Sequence, residues 1–177
     1  FENTAEKATE KAKLFASCDT VIYCSDYPEI ETAMQALPRT ALWNWSRENE
    51  KAVLYISAVE RSGAATLITG VYEGATVRIQ IPFIDKAAIE NAIHCWLVML
   101  LMDVSQERIE RRMCLLQPIA MRLELLDGIG DCTLVNDVYS SDLGSLKIAL
   151  ELVQQQRQQN RTTLILSDIL QSGMESE

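Results

Sequence analysis

The feature that most limits the possible folds is a strand-loop-helix pattern in the last third of the chain. An apolar run over residues 132–135 ends in Asn136 and Asp137. An amphipathic segment begins at Asp142 or Leu143. This succession is typical of a buried strand, a loop at its carboxyl end and a capped helix. Because ligands of open α/β sheets bind at such strand ends, the pattern predicts an α/β fold with one wall of a binding site here.

Two other apolar runs end in the same way. Thr20–Cys24 is followed by Ser25 and Asp26, and residues 163–166 are followed by Ser167 and Asp168. Three polar strand ends favour a shared cleft, although Asp and Asn also occupy such positions as turn and cap residues without any ligand. Strands at 131–136 and 162–166, with a helix at 142–159 between them, predict a parallel, right-handed β-α-β unit.

The first two thirds of the chain show a different order of elements. The composition and capping pattern of residues 2–16 predict a helix with Thr4 as its cap. A buried strand and a short helix that ends before Pro38 follow it. Four strand-like runs then predict an antiparallel meander: residues 40–45, 52–60, 65–72 and 76–81. The Glu-Gly pair at 73–74 is the turn signal of a hairpin between the last two runs, and alternation places Val77, Ile79 and Ile81 on one face of the last run. Helices are predicted at 85–102 and 105–116.

We place a domain boundary near residues 118–121, which gives one domain at 1–118 and a second at 119–177. The second domain looks cut short, because two or three strands make a small sheet. The chain opens on a helical pattern at Phe1 and not at Met. We therefore expect the chain to be an internal fragment.

Composition excludes several functional classes. The net charge of -9 argues against a nucleic-acid surface, and no apolar run is long enough for a membrane span. The five cysteines lack C-x-x-C spacing and are interpreted as reduced, buried thiols of a cytoplasmic protein. The single histidine, His94, lies in an apolar helical run and is expected to have a core or helix-surface role. A glycine-rich phosphate loop is absent from the sequence.

Residues 134–150 closely resemble the Asp-x-Tyr-Asn-x-(Asn/Asp)-x-x-Ser segment of the Mur ligases. These are the ATP-dependent amide-bond ligases that make peptidoglycan precursors, and through peptidoglycan they contribute to the cell wall and to cell shape. Further segments resemble the family in the same order along the chain: residues 10–15, 82–92, 118–124 and 163–173. The nearest subgroup adds D-alanyl-D-alanine to UDP-N-acetylmuramoyl-tripeptide. The last segment resembles the type that is fused to an alanine racemase.

The resemblance implies a fold and a domain organisation. The family has a UDP-substrate domain, a central ATPase domain and a Rossmann-like C-terminal domain. Residues 1–118 would be the later part of the central domain, with helices and a mostly antiparallel sheet. Residues 119–177 would begin the C-terminal domain. The phosphate loop would lie in a missing N-terminal part of the ligase, so the chain alone is expected to be inactive.

The resemblance also implies cofactors and roles for single residues. ATP and Mg²⁺ would activate the tripeptide carboxylate as an acyl phosphate, which the amine of D-alanyl-D-alanine then attacks. Lys11 matches the carbamylated lysine of the family, whose carbamate oxygens suit Mg²⁺. Asp137 matches an aspartate that contacts the nucleotide ribose. The full set of implied nucleotide-binding residues is Asp26, Asn91, Arg122, Asn136, Asp137, Tyr139 and Ser140.

Two alternatives stay open at this stage. Cys24, Val138 and Ser140 depart from the family pattern, which suits a degenerate, non-catalytic module kept for packing or for presenting a partner enzyme. The other alternative is a different amide ligase of the same fold, of the folylpolyglutamate or cyanophycin type.

Overall fold

The computed structural model describes residues 3–38, 40–117, 124–138, 143–155 and 161–166. The chain divides into two compact units, Phe1–Leu116 and Gln117–Glu177. We describe each unit by itself. The α/β fold class predicted from the sequence is confirmed, since helices and a five-stranded mixed sheet make up the first unit.

The sheet of the first unit has the strand order β1-β2-β3-β4-β5. Its strands are β1 (Thr20–Cys24), β2 (Ala41–Ser46), β3 (Leu54–Ser62), β4 (Ala65–Tyr72) and β5 (Ala75–Ile81). The pairs β1–β2 and β2–β3 are parallel, and the pairs β3–β4 and β4–β5 are antiparallel. The predicted meander is therefore wrong for β2 and confirmed for β3, β4 and β5.

The parallel pairing of β2 with β3 has a simple geometric reason. The two strands share only two register pairs, Trp45 with Leu54 and Ser46 with Tyr55. The end of β2 thus lies beside the beginning of β3. Because the chain only steps sideways into the next position of the sheet, a short loop suffices and no crossover helix is needed.

The hairpin between β4 and β5 follows its sequence signal. Glu73 and Gly74 both have positive φ, at 50° and 78°, as the mirror-image turns of tight hairpins require. Val77, Ile79 and Ile81 are all buried, so the predicted alternation of β5 is confirmed.

Four α-helices accompany this sheet: α1 (Thr4–Ala12), α2 (Pro28–Gln35), α3 (Lys86–Leu101) and α4 (Gln106–Met113). Asn3, and not the predicted Thr4, caps α1 by accepting a hydrogen bond of 2.8 Å from the Glu6 amide. Asp85 caps α3 and accepts a hydrogen bond from the Ala88 amide at 2.8 Å, so α3 begins where the sequence predicts a helix start. Among the helices of the described residues, none has both the length and the apolarity needed to cross a bilayer.

Helices cover both faces of β1. Val21 and Tyr23 pack with the buried Met34 of α2 and with α1. Ile22 and Cys24 belong to the larger core, where α3 inserts fully buried side chains such as Trp96. Alternate side chains of one strand thus enter two different helix-covered cores.

The second unit contains an antiparallel hairpin of β6 (Glu124–Asp127) and β7 (Thr133–Asn136), followed by α5 (Leu143–Gln155). The predicted strand at 162–166 is wrong, because residues 161–166 form neither helix nor strand and are exposed. The predicted parallel β-α-β unit therefore does not form among the described residues. The polar residues Ser167 and Asp168 lie outside them.

Candidate functional site

The carboxyl end of β1 carries Asp26, one of the predicted nucleotide-binding residues. Its carboxylate accepts hydrogen bonds from the Ser46 hydroxyl and from the Arg47 amide, the latter at 3.0 and 3.2 Å. Ser46 is 1% exposed, and its Oγ accepts from the Glu48 and Asn49 amides at 3.0 and 2.7 Å. Asp26 thus ties the end of β1 to the loop that follows β2.

A second polar cluster lies beside this turn. The Tyr27 hydroxyl donates to Glu90 Oε1 of α3 at 2.7 Å. Lys86 Nζ lies 3.6 Å from the same oxygen and 5.6 Å from the centre of the Tyr27 ring. Burial and the bond to Glu90 raise the pKa of Tyr27. The hydrogen bond with Tyr27 is the main reason that the pKa of Lys86 is raised. These three side chains join the turn after β1 to the first turns of α3.

His94 lies one turn further along α3. Its Nδ1 is 2.8 Å from the Glu90 carbonyl oxygen, which suits an Nδ1–H donor. Its ring meets Trp45 edge-on, at 5.3 Å between ring centres and 87° between planes. Trp45 is 1% exposed, and its Nε1 has no hydrogen-bond partner among the described residues. His94 is half-buried, in agreement with the predicted core or helix-surface role.

A cavity of about 830 Å³ runs along β1, and all five residues of β1 line it. Lys11 of α1 and Met34 of α2 border it on one side, and Glu90 and His94 of α3 border it on the other. Lys11 is exposed and so is accessible to carbon dioxide and to a ligand. Within the ranges that the structure describes, no three His, Cys, Asp or Glu side chains are grouped to hold a metal ion.

The remaining predicted site residues are divided between the two units or lie outside the described residues. Asn91 is exposed on α3. In the second unit, Asn136 donates to Glu124 Oε2 at 3.1 Å, and Asp137 is half-buried just after β7. Arg122, Tyr139 and Ser140 lie outside the described residues. Within the first unit, Asn91 is not among the residues that line the cavity beside Lys11.

The cysteines correct one prediction from composition. Only Cys24 is buried; Cys18, Cys95, Cys114 and Cys132 are exposed. Burial raises the pKa of the Cys24 thiol to about 12, so this thiol is un-ionised at neutral pH.

Sequence reasoning missed Ser46, Tyr27, Lys86 and Glu90. The spacing of Lys86 and Glu90, four residues apart on a helix, is a local signal for an ion pair. No local signal links Tyr27 with Glu90, which are 63 residues apart.

Comparison with known proteins finds similarity in sequence and in fold. No protein-family profile matches the chain. The chain is 23% identical over 172 residues to the UDP-N-acetylmuramoyl-tripeptide--D-alanyl-D-alanine ligase of Bacillus subtilis (strain 168). That match covers 97% of this chain and 36% of the ligase, so the chain spans about a third of the curated relative.

Three solved structures illustrate the shared fold. A crystal structure of MurF from Acinetobacter baumannii aligns with a TM-score of 0.66 at 15% identity, over 86% of this chain and 33% of that one. MurF ligase from Thermotoga maritima in complex with ADP aligns with a TM-score of 0.60 at 11% identity, over 78% of this chain and 31% of that one. Folylpolyglutamate synthetase from Lactobacillus casei aligns with a TM-score of 0.62 at 10% identity, over 90% of this chain and 41% of that one. The chain thus has the fold of the corresponding parts of Mur ligases and folylpolyglutamate synthetase.

Proposed function

We propose that this chain is part of an ATP-dependent amide-bond ligase of the Mur family that adds D-alanyl-D-alanine to UDP-N-acetylmuramoyl-tripeptide in the cytoplasm. The observation that carries the proposal is the match to one such ligase along 97% of the chain. Solved structures of MurF with the same fold, one of them holding ADP, support the ligase class and the use of ATP.

In this proposal the chain is an internal fragment. Residues 1–118 are the later part of the central ATPase domain, and residues 119–177 begin the C-terminal domain. The phosphate loop belongs to polypeptide that precedes them, and an alanine racemase domain follows. The isolated chain then has no ligase activity.

The proposed chemistry gives Lys11 a specific role. Mg²⁺ is commonly held by one or two carboxylates together with substrate phosphates and water. A carbamate on Lys11 would supply oxygens of that kind, and the exposed position of Lys11 beside the cavity suits it. Bound ATP supplies the phosphoryl group that activates the tripeptide carboxylate. We assign the nucleotide contacts to Asn91, Arg122, Asn136, Asp137, Tyr139 and Ser140.

Asp26 fits this assignment less well and favours the second candidate, a non-catalytic module. Its carboxylate already accepts hydrogen bonds from Ser46 and Arg47 of its own chain. A nucleotide contact by Asp26 would use the remaining lone pairs or displace this loop. A module that keeps the fold for packing or for presenting a partner enzyme needs only the structural role.

One experiment separates these candidates. The full-length protein is assayed for phosphate release that requires ATP, UDP-N-acetylmuramoyl-tripeptide and D-alanyl-D-alanine together. We expect Lys11→Ala to lower this rate at least 100-fold, with Lys7→Ala, one turn earlier and also beside the cavity, as the matched control. Absence of turnover in the unaltered protein would support the module.

Other outcomes decide other parts of the proposal. Equal rates for Lys11→Ala and Lys7→Ala would refute the carbamate role. Turnover with folate and glutamate in place of the muramoyl substrates would favour the folylpolyglutamate type. Robust phosphate release by the isolated 177-residue chain would refute the fragment interpretation.

A further inference from the structure

The feature that carries the inference is the loop after β2, residues 47–51, which we call the 47–51 loop. All five of its residues are exposed, so apolar burial contributes little to its order. The loop is ordered instead by hydrogen bonds to its backbone. One of them is a turn bond just beyond the loop, in which the Ala52 amide donates to the Asn49 carbonyl at 3.1 Å. Others are made by side chains.

Two side chains at the carboxyl ends of β1 and β2 hold the first half of the loop. The Asp26 carboxylate accepts from the Arg47 amide. The buried hydroxyl of Ser46 accepts from the Glu48 and Asn49 amides. The same hydroxyl donates its own proton to Asp26. The first three amides of the loop therefore depend on Asp26, either directly or through Ser46.

The position of Asp26 is one at which ligands bind. β1 and β2 are parallel, and ligands of open α/β sheets lie beyond the carboxyl ends of parallel strands. Asp26 follows the end of β1, and Ser46 is the last residue of β2. Asp26 is half-buried, so its carboxylate is not sealed off from a ligand. An acidic side chain in such a place characteristically accepts hydrogen bonds from ribose hydroxyls.

The Asp26 carboxylate has little accepting capacity left. An ionised carboxylate offers about four acceptor positions. The Ser46 hydroxyl occupies one at Oδ1, and the Arg47 amide lies within hydrogen-bonding distance of both oxygens, at 3.2 and 3.0 Å. A ligand with two donors, such as the adjacent hydroxyls of a ribose, needs two positions. Because about one is free, such a ligand has to displace a donor that holds the loop.

We propose that Asp26 switches between two sets of partners and so couples nucleotide binding to the 47–51 loop. In the free protein its carboxylate holds the loop. When a nucleotide binds, the ribose hydroxyls take over the carboxylate and the loop is released. The inference rests on the proposed function for the identity of the ligand. Because loop and nucleotide compete for one group, each weakens the binding of the other by the same factor.

This reciprocity gives a test that a purely structural role of Asp26 fails. Ser46→Ala removes a competitor for the carboxylate and leaves Asp26 in place. We expect the full-length Ser46→Ala protein to bind ADP with Mg²⁺ at least about 5-fold more tightly than the unaltered protein in titration calorimetry. Ser57→Ala is the matched control, because the Ser57 hydroxyl donates to the Thr69 carbonyl at 3.3 Å, between β3 and β4. Equal or weaker binding by Ser46→Ala would overturn the proposal.

Limited digestion with trypsin follows the loop in the unaltered protein, so this second test needs no folded variant. Arg47 and Lys51 are trypsin sites of the loop, and the cleavage rate follows the open population when opening is fast. We expect saturating ADP with Mg²⁺ to raise cleavage after both residues about 10-fold in the full-length protein. Cleavage after Arg61, exposed in β3, should not change. Asp26→Ala should be cleaved rapidly in the loop without ADP and show no further increase.

The outcomes separate this proposal from the proposed function. If ADP binds to an active ligase and the cleavage rate of the loop stays the same, the switch is refuted and the proposed function stands. If ADP releases the loop in a full-length protein without ligase activity, the switch is upheld and the ligase function is refuted. If calorimetry detects no ADP binding by the full-length protein, both proposals are refuted.

Discussion

Asp26 offers the sharpest test of the site, because two roles for one carboxylate predict different results. If Asp26 serves only a nucleotide, its removal leaves the free protein as stable as before. The structure predicts a loss of stability, because Asp26 accepts from the hydroxyl of Ser46 and from the amide of Arg47. The variant to compare with the unaltered chain is Asp26→Ala.

The size of this loss of stability follows from the two hydrogen bonds that Asp26 accepts. A hydrogen bond to a charged group contributes about 1.5–3 kcal/mol. Arg47 is exposed, so water replaces most of its lost bond. Ser46 is 1% exposed and also holds two amides of the following loop, so its contribution dominates. We expect the free energy of unfolding to fall by about 2 kcal/mol.

Urea unfolding measures this change. The three tryptophans, Trp43, Trp45 and Trp96, all lie in the first unit, so their fluorescence reports its unfolding. With a urea dependence near 2 kcal/mol per molar, the midpoint should fall by about 1 M. Asp26→Asn keeps one acceptor oxygen and should lose about half as much.

Asp19→Ala is the control for removing an exposed carboxylate near β1. If Asp26→Ala shifted the midpoint no more than Asp19→Ala, the structural role of Asp26 would be wrong and a free carboxylate would have to be assigned to it. A change in the free energy of unfolding on addition of nucleotide would then be sought with Asp26→Ala and the unaltered protein.

Two predictions concern the sheet. Burial, together with the Glu31 carboxylate, raises the pKa of Tyr23 from 10.0 to about 12. As the pH rises, the unfolded chain therefore loses this proton before the folded chain does. The contribution of Tyr23 to the free energy of unfolding is complete below pH 10 and falls by roughly 2–3 kcal/mol between pH 10 and 12. Urea unfolding at alkaline pH should show this fall in the unaltered chain and not in Tyr23→Phe. A Cβ at Gly70 would lie 2.8 Å from the Tyr55 carbonyl oxygen of the neighbouring strand. Gly70→Ala should therefore lower the free energy of unfolding in urea by about 1–3 kcal/mol. An unchanged urea midpoint would refute the close approach of β3 and β4.

The candidate site shows where sequence reasoning reaches its limit. The position of Asp26 at the end of a buried strand could be predicted, because an apolar run followed by polar residues is a local pattern. Its partner Ser46 lies 20 residues away and could not, since that contact depends on how β1 and β2 pair. The bond between Tyr27 and Glu90 likewise depends on the packing of α3 against β1.

The sequence by itself determined the elements whose causes are local. The Glu73-Gly74 turn, the alternation of β5 and the start of α3 next to Asp85 all agree with the structure, because turn conformations, side-chain periodicity and capping act over a few residues. Only the tertiary structure decided the parallel, staggered pairing of β2 with β3 and the exposure of four of the five cysteines. It also decided the open edge of β1 between two helical layers. Strand order and burial depend on contacts between distant segments, and an apolar strand has the same sequence pattern at the edge of a sheet as in its interior.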